Sequence, residues 1–265
     1  MIAEVDMDRI TSVKNPLVRD LRALKDRKAR VETGRFMVEG EKMILEALGC
    51  GLQVHDVLVE ESMEALGERL RALGARVSLA PRNLLEAVCD TRTPQGVCAS
   101  FDQPDEIPLA AVPPRLVALD GVQDPGNVGT IWRTADAAGF QGILLGGGCA
   151  DPLSPKVQRS SMGSGFRVGF VNAPDLVKTL TALRARGYAI VASDLSGQDF
   201  YKRSHEGQKF VLVIGNEARG ISDGVREAAD MLVKLPMRGG AESLNAAVAA
   251  GIMMYEMIRN MEEAR

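Results

Sequence analysis

The sequence predicts an α/β protein in two domains, a small α/β sandwich followed by a larger Rossmann-like parallel sheet. Three observations carry that expectation. Short apolar runs rich in β-branched residues, such as Phe210-Val211-Leu212-Val213-Ile214, alternate with helix-length segments. Runs of that kind read as strands buried on both faces of a parallel sheet. A stretch from Asp102 to Arg115 with four prolines (Pro104, Pro108, Pro113, Pro114) interrupts the alternation. Beyond it, several runs end in glycine-rich loops at their carboxyl ends, where open α/β sheets gather ligands.

In the first domain, residues 1–101, Asn15-Pro16 supplies a cap and first turn for a helix over about 17–29. Leu17, Leu21, Leu24 and Lys28 share one face of it, which sends the basic residues outward. Residues 9–35 carry nine Lys/Arg against three acids, a local excess of six. Lys14, Arg22, Lys25, Arg27, Lys28, Arg30 and Arg35 are therefore candidates for contacts to a phosphate backbone. Strands are expected at 35–39, 54–59, 76–79 and 96–101, separated by helices at 41–48, 62–73 (capped by Ser62) and 82–88. Four strands with interleaved helices make a small sandwich. The polar turn Thr91-Arg92-Thr93-Pro94-Gln95-Gly96 precedes the last of them.

Residues 102–114 are the expected linker, stiffened by proline and without helix or strand period. The second domain, 115–265, opens with strand Leu116–Leu119 and the loop Asp120–Gly129, then a helix to Ala138 bearing Arg133. Strands follow at 142–145, 166–170, 188–192, 210–214 and 231–235, with a helix at 175–186. The strand at 188–192 gives way to Ser193-Asp194-Leu195-Ser196-Gly197, and that at 210–214 to Gly215-Asn216-Glu217-Ala218-Arg219-Gly220. Glu242-Ser243 starts a last helix from Leu244 to about Met261.

Composition excludes several classes. A hydrophobic content of 46% and a charged content of 25% are ordinary for a soluble protein, and the net charge of −3 argues against indiscriminate nucleic-acid coating. No apolar run approaches the roughly 20 residues of a membrane span. The acidic start Met1–Asp6 has no signal-peptide core, so a cytoplasmic protein without membrane attachment is expected. Four cysteines (Cys50, Cys89, Cys98, Cys149) form no CxxC, and no metal is expected.

Nucleotide motifs fail in context. Gly146-Gly147-Gly148 lacks the third glycine of GxGxxG, Gly163-Ser164-Gly165 precedes a strand, and no GxxxxGK[ST] occurs. Gly220-Ile221-Ser222-Asp223-Gly224 matches GxSxG, but its serine does not directly follow a strand. Both histidines, His55 and His205, precede it, whereas that hydrolase order needs a histidine after the nucleophile.

What remains is Asn127-x-Gly129-x-x-x-Arg133, then Gly215-x-Glu217-x-x-Gly220-Ile221-Ser222, then Leu235-Pro236-Met237 through Ser243-Leu244-Asn245, each where a strand ends. In that order they resemble the three signature motifs of the SpoU (TrmH) family of RNA 2′-O-ribose methyltransferases, of the SPOUT superfamily. Ser12-Val13-Lys14-Asn15-Pro16 and Thr33-Gly34-Arg35-Phe36-x-Val38-Glu39-Gly40 look like the RNA substrate-binding domain of many members. The resemblance implies S-adenosylmethionine as cofactor, a trefoil knot around its pocket and a homodimer through the C-terminal domain. It implies cofactor contacts at Gly215, Leu235 and Leu244, with Ser193, Asp194, Leu195, Met237 and Ser243 nearby. Asn127, Arg133, Glu217 and Asn245 would form the catalytic cluster, Glu217 and Asn127 fixing the Arg133 fork. The implied substrate is RNA, 23S ribosomal RNA ahead of tRNA; a catalytically silent RNA-binding or ribosome-assembly protein of the same fold is the other reading.

Overall fold

The computed structural model describes residues 7–204 and 207–263, the last four by backbone alone. The acidic start Met1–Asp6, His205 and the side chain of Met261 lie outside the described residues. The chain divides into two units, Met1–Pro104 with Leu153–Arg159, and Asp105–Pro152 with Ser160–Arg265.

In the first unit the elements are β1 (Asp8–Arg9), α1 (Pro16–Ala23), α2 (Arg27–Thr33), β2 (Arg35–Glu39), α3 (Glu41–Gly49), β3 (Val54–Glu60), α4 (Glu64–Ala72), β4 (Arg76–Ala80), α5 (Arg82–Val88) and β5 (Val97–Asp102). They build a five-stranded sheet in the order β1-β4-β3-β5-β2. β5 runs antiparallel to β2 and β3, whereas β1, β4 and β3 are mutually parallel. The sheet has one strand more than the four expected, because β1 is a two-residue piece. Phe36, Phe101, Leu58 and Leu79 are fully buried within this unit.

Two expectations about its helices are corrected. The single helix over 17–29 is two, because Asp26 adopts an extended conformation (φ −89°, ψ 133°). The break stands because the Arg30 guanidinium donates to the carbonyls of Leu24 and Lys25, at 2.7 Å each, satisfying groups left open where α1 ends. Ser62 does not cap α4; it lies in a 3-10 turn (Glu61–Met63), where its hydroxyl donates to Glu60 at 3.0 Å.

The second unit holds β6 (Arg115–Asp120), α6 (Pro125–Ala137), β7 (Gly142–Gly146), α7 (Pro155–Ser161, mostly grouped with the first unit), α8 (Ser164–Arg167), β8 (Gly169–Ala173), α9 (Leu176–Arg184), β9 (Ala189–Asp199), β10 (Phe210–Gly215), α10 (Asp223–Ala228), β11 (Met231–Lys234) and α11 (Ala246–Glu263). All six strands are parallel, in the order β11-β9-β10-β6-β7-β8. β10 and β6 are central and buried on both faces, as their unbroken apolar runs require. Val211 and Val213 join Leu116, Leu144 and Ile190 in one core layer. On Phe210 rests Phe140, edge to face with ring centres 5.6 Å apart.

The expected strand at 166–170 is displaced: 164–167 is a helical turn and the strand runs from Gly169 to Ala173. Trp132 fixes this register, donating its indole N–H to the Val168 carbonyl at 2.8 Å and meeting Phe170 edge to face. β9 continues to Asp199, but its pairing with β11 jumps from Leu232 opposite Ala192 to Val233 opposite Gln198. Residues 193–197 are thereby thrown out of the ladder, while Gly197 lies so close to Leu232 and Val233 that a Cβ would fall 2.4 Å from the Val233 nitrogen.

The expected linker is not free. The Gln103 side chain donates to the Arg30 carbonyl at 2.6 Å in the first unit. In the second, the Ile107 N–H donates to Phe170, Glu106 accepts from Asn172, and the Tyr188 hydroxyl donates to Val112 and Pro113. Among the described residues no helix is long and apolar enough to cross a membrane.

Candidate active site at the carboxyl ends of the parallel strands

Where β6 ends, Asp120 accepts from the backbone of Ser222 at 2.6 Å, tying the loop after β10 to the mouth of β6. Asp124 then caps α6, accepting from the Asn127 N–H at 2.9 Å, with Pro125 in the first turn. The β10 loop is a tight reversal. Asn216 and Gly220 exchange backbone hydrogen bonds of 2.9 Å, and the Asn216 side chain accepts from Ala218 and Arg219 while donating to the Gly121 carbonyl at 2.7 Å. At Gly215 a Cβ would lie 2.2 Å from the Gly220 carbonyl carbon, so the reversal admits only glycine there. Asn216 was not among the sequence candidates; the signal was its place after a strand-ending glycine, where asparagine side chains build turns.

This frame presents Glu217 to α6. Its carboxylate accepts from the Asn127 amide at 2.8 Å and from the backbone N–H groups of Gln123 and Asp124 at 3.4 Å. Asn127 in turn accepts from the Asn245 amide at 2.9 Å. Asn245 also caps α11, its oxygen accepting from Ala247 at 2.9 Å and Val248 at 3.3 Å. The last helix therefore starts at Ala246 behind an asparagine cap, not at Glu242-Ser243 as expected. Asn245, Asn127 and Glu217 form a directed chain in which every amide orientation is dictated by its neighbour. Partial burial pushes the Glu217 carboxyl up, but the Asn127 amide and the surrounding backbone N–H groups outweigh it and hold the group below its ordinary range. Glu217 is thus a committed carboxylate at neutral pH.

Beside this chain opens a cavity of about 800 Å³, lined by residues 193–196, 214–220 and 242–246 with Arg226 and Ala249. Ser193, Asp194, Leu195, Gly215, Ser243 and Leu244 line it as the motifs implied, and so do Glu217 and Asn245. Leu235, buried at 8% exposure, and the half-buried Met237 are not in the lining. Burial raises the Asp194 carboxyl, but Ser196 and Arg226 together bring it below its usual value, with Arg226 at 2.6 Å.

Arg133 does not join the bonded chain. It is exposed and makes no ion pair or side-chain hydrogen bond among the described residues, so the expected fork fixed by Glu217 and Asn127 is absent. The reason is helical geometry: six residues along α6 carry Arg133 about 240° around and about 9 Å beyond Asn127. Ser222, the serine of the GxSxG match, occupies the N-cap position of α10 and not a nucleophile elbow.

In the first unit Lys14, Arg22, Arg27 and Lys28 are exposed, Lys28 lying 3.8 Å from Glu32. Arg35 sits 3.7 Å from Asp56, and Lys25 is half-buried with its ammonium donating to the Cys89 carbonyl at 2.7 Å. Arg30 is a correction. At 3% exposure, with its guanidinium closing the α1–α2 junction, it faces the interior rather than a partner.

Comparison with known proteins agrees with this arrangement. Residues 114–255 match the SpoU rRNA Methylase family. The chain belongs to that family. Residues 15–99 match the MRM3-like substrate binding domain. A relative from Bacillus subtilis, the 23S rRNA (guanosine(2553)-2′-O)-methyltransferase RlmP, is 35% identical over 95% of this chain and 99% of its own length. Among solved structures, the AdoMet-bound rRNA methyltransferase of Sinorhizobium meliloti superposes with a TM-score of 0.85 at 36% identity, over 96% of this chain and 98% of that one. The SpoU methyltransferase AviRb of Streptomyces viridochromogenes, in complex with AdoMet, gives 0.85 at 32% identity over 95% and 100%.

The SpoU cavity fits S-adenosylmethionine on its own chemistry. Leu195 and Leu244 stand 66% and 38% exposed on its wall, apolar surface that a purine can cover. Glu217, bonded only to neutral donors, brings negative charge to a space that would hold a sulfonium, while Asp194 is paired with Arg226. Among the described residues no cluster of three or more His, Cys, Asp or Glu is arranged to hold a metal ion.

Proposed function

We propose that this chain is an S-adenosylmethionine-dependent RNA 2′-O-ribose methyltransferase that acts on 23S ribosomal RNA. The observation that carries the reading is the Asn245–Asn127–Glu217 chain at the edge of a cavity with exposed leucines. Such a site holds polar groups rigid beside an apolar slot, which is what methyl transfer to an oriented hydroxyl needs. Bound S-adenosylmethionine supplies an electrophilic methyl group whose sulfonium charge is discharged as the ribose 2′-oxygen takes it. Ser193–Leu195, Gly215, Ser243 and Leu244 would hold that cofactor, while Leu235 and Met237 are assigned to it by the motif resemblance alone.

The protein's part is orientation and charge. A guanidinium does not deprotonate under these conditions, and a carboxylate held below its ordinary range is a weak base. Arg133 therefore orients the ribose and stabilises the developing alkoxide, while the 2′-hydroxyl proton leaves to water. Glu217 keeps Asn127 turned, and Asn127 keeps Asn245 facing the cavity. Lys14, Arg22, Arg27 and Lys28, with Lys25 and Arg35, give the first unit a cationic surface for the RNA backbone.

The same reading includes a trefoil knot among the cavity loops and a homodimer through α11. Val248, Ile252 and Tyr255 are 51%, 38% and 54% exposed along that helix, an apolar stripe at helical spacing, whereas Met253 and Met257 are buried within the chain. Light scattering at micromolar concentration is expected to give twice the chain mass, and a monomer rules the dimer out. For the activity, purified protein with S-adenosylmethionine is expected to place a 2′-O-methyl group on 23S rRNA at one site. Methylation of tRNA alone, or cofactor binding without transfer to any RNA, overturns it.

A further inference from the structure

Most arginines of the second unit commit their guanidinium within the chain. Arg167 pairs with Asp136, Arg184 with Asp230, Arg226 with Asp194 and Arg259 with Glu256, while Arg186 and Arg203 donate to backbone carbonyls. Among the described residues, Arg133, Arg219 and Arg238 are exposed and have no ion pair or side-chain hydrogen bond. Arg219, in the β10 loop, and Arg238, in the loop after β11, lie at the carboxyl ends of the strands, while Arg133 stands further along α6. Arg115 is also without such a partner, but it begins β6 at the opposite end of the sheet.

Arg219 is the one of the three that lines the cavity. Its own N–H donates to the Asn216 side chain at 3.1 Å, inside a reversal closed by two backbone hydrogen bonds. Two residues earlier Glu217 is the nearest carboxylate in the turn, but that group is already bonded to Asn127 and to backbone N–H groups. The bonded turn thus places an unneutralised guanidinium beside the polar chain, where it is open to an oxyanion. The cofactor carboxylate is one candidate and an RNA phosphate another. Arg226, the other arginine of the lining, is already paired with Asp194. Two separate unpaired arginines at this end of the sheet, with a third on α6, suit a succession of phosphates better than one carboxylate.

We infer that Arg219 contacts a backbone phosphate flanking the target ribose and positions the RNA strand over the cavity. This rests on the methyltransferase reading above. The test measures methyl-transfer kinetics and binding affinity for a protein-free 23S rRNA transcript across a salt series, in parallel with calorimetric affinity for S-adenosylmethionine, for the wild type and for Arg219→Ala and Arg219→Lys. Arg219→Ala is expected to raise the KM for RNA about tenfold, with the loss carried mainly by KM. It should also flatten the slope of log K against log salt by about 0.7, the release from one single-strand phosphate. Cofactor affinity stays within twofold of wild type. Arg219→Lys keeps the slope, because it keeps the charge. An unchanged RNA slope and KM overturns the inference. So does a tenfold loss of cofactor affinity with RNA binding intact, which assigns Arg219 to the carboxylate. A wild-type protein that binds S-adenosylmethionine but neither binds nor methylates RNA fails the reading beneath, and this inference with it.

Discussion

Asn245 performs two tasks with the two ends of one amide, and a pair of substitutions separates them. Its oxygen caps α11 through Ala247 and Val248, and its nitrogen donates to Asn127. Losing an asparagine cap costs about 1 kcal/mol, within a range of about 0.5–2. Losing the bond to Asn127 costs about 1 kcal/mol more. Asn245→Ala is therefore expected to lower the melting temperature of the second unit by about 4–8 °C, at about 2–4 °C per kcal/mol for a domain of this size. Asn245→Asp keeps the capping oxygen and places a negative charge at a helix N-terminus, which is favourable by about 0.3–1 kcal/mol. Its melting temperature should stay within about 2 °C of wild type. A carboxylate cannot donate to Asn127, however. If the Asn127 amide turns over to serve the introduced carboxylate, its oxygen meets Glu217 instead. The orientation lost is that of a charge-assisted bond, about 1.5–3 kcal/mol, so methyl transfer should fall about 10–100-fold. Calorimetry and transfer of a radiolabelled methyl group to 23S rRNA read the two effects separately. An Asn245→Asp enzyme with near-normal turnover would refute the idea that the bonded chain organises catalysis. One as unstable as Asn245→Ala would refute the cap.

Four further residues of the two units give outcomes of the same kind. Arg133→Lys is expected to lose at least about tenfold in turnover, because an ammonium cannot reproduce two parallel donors; near-full turnover contradicts the assigned role. Arg30→Ala should destabilise the first unit by about 2–4 kcal/mol, since two carbonyls lose their charged donor, yet leave the salt slope of RNA binding unchanged. Arg22→Ala should do the reverse, with stability within about 0.5 kcal/mol and a slope flatter by about 0.7, and urea melts with salt titrations distinguish them. Glu217 is held below its ordinary carboxyl range, so its stabilising contribution is complete above that range and is lost as pH falls through its lower folded value. Activity should therefore be level with respect to this group near neutrality and fall only in acid, and Glu217→Gln should remove that acid limb; a wild-type Glu217-dependent limb near pH 7 would be contrary.

Strands were legible wherever an apolar run exceeded what one surface can absorb, which is why β6 and β10 lie within a residue of expectation. The errors have physical causes. The spacing of Leu17, Leu21, Leu24 and Lys28 runs unbroken through the α1–α2 junction, because periodicity records which face is apolar and not whether the backbone between is helical. That break depends on the buried Arg30, whose basic side chain reads as surface charge in a sequence. β1 shows only two exposed polar residues and is defined by its partner Ser78–Leu79. Leu244 fits the helical stripe that follows it, but Asn245 halts the helix by accepting from its first turn. At the site, Glu217, Asn127 and Asn245 were legible as a set, while the turn that brings them together depends on Asn216, whose contacts cross from β10 to the β6 loop.

A surface folded only for its own stability pairs its charges and covers its leucines, and much of the second unit obeys that rule. The carboxyl end of the sheet departs from it in three ways at once. Leu195 and Leu244 stand exposed on a cavity wall, residues 193–197 leave a ladder they could have joined, and Arg219 and Arg238 go unpaired in loops near committed carboxylates. No one departure is informative, since exposed leucines and free arginines are common. Their coincidence is informative, because each is relieved by a different part of the same proposed complex. A purine covers the leucines, the bulged segment gives it room, and phosphates meet the arginines. Local rules fail together where something outside the chain completes them. The polar chain from Asn245 to Glu217 is the exception that supports this: each member is bonded to the next without a ligand, so its order is set before one arrives.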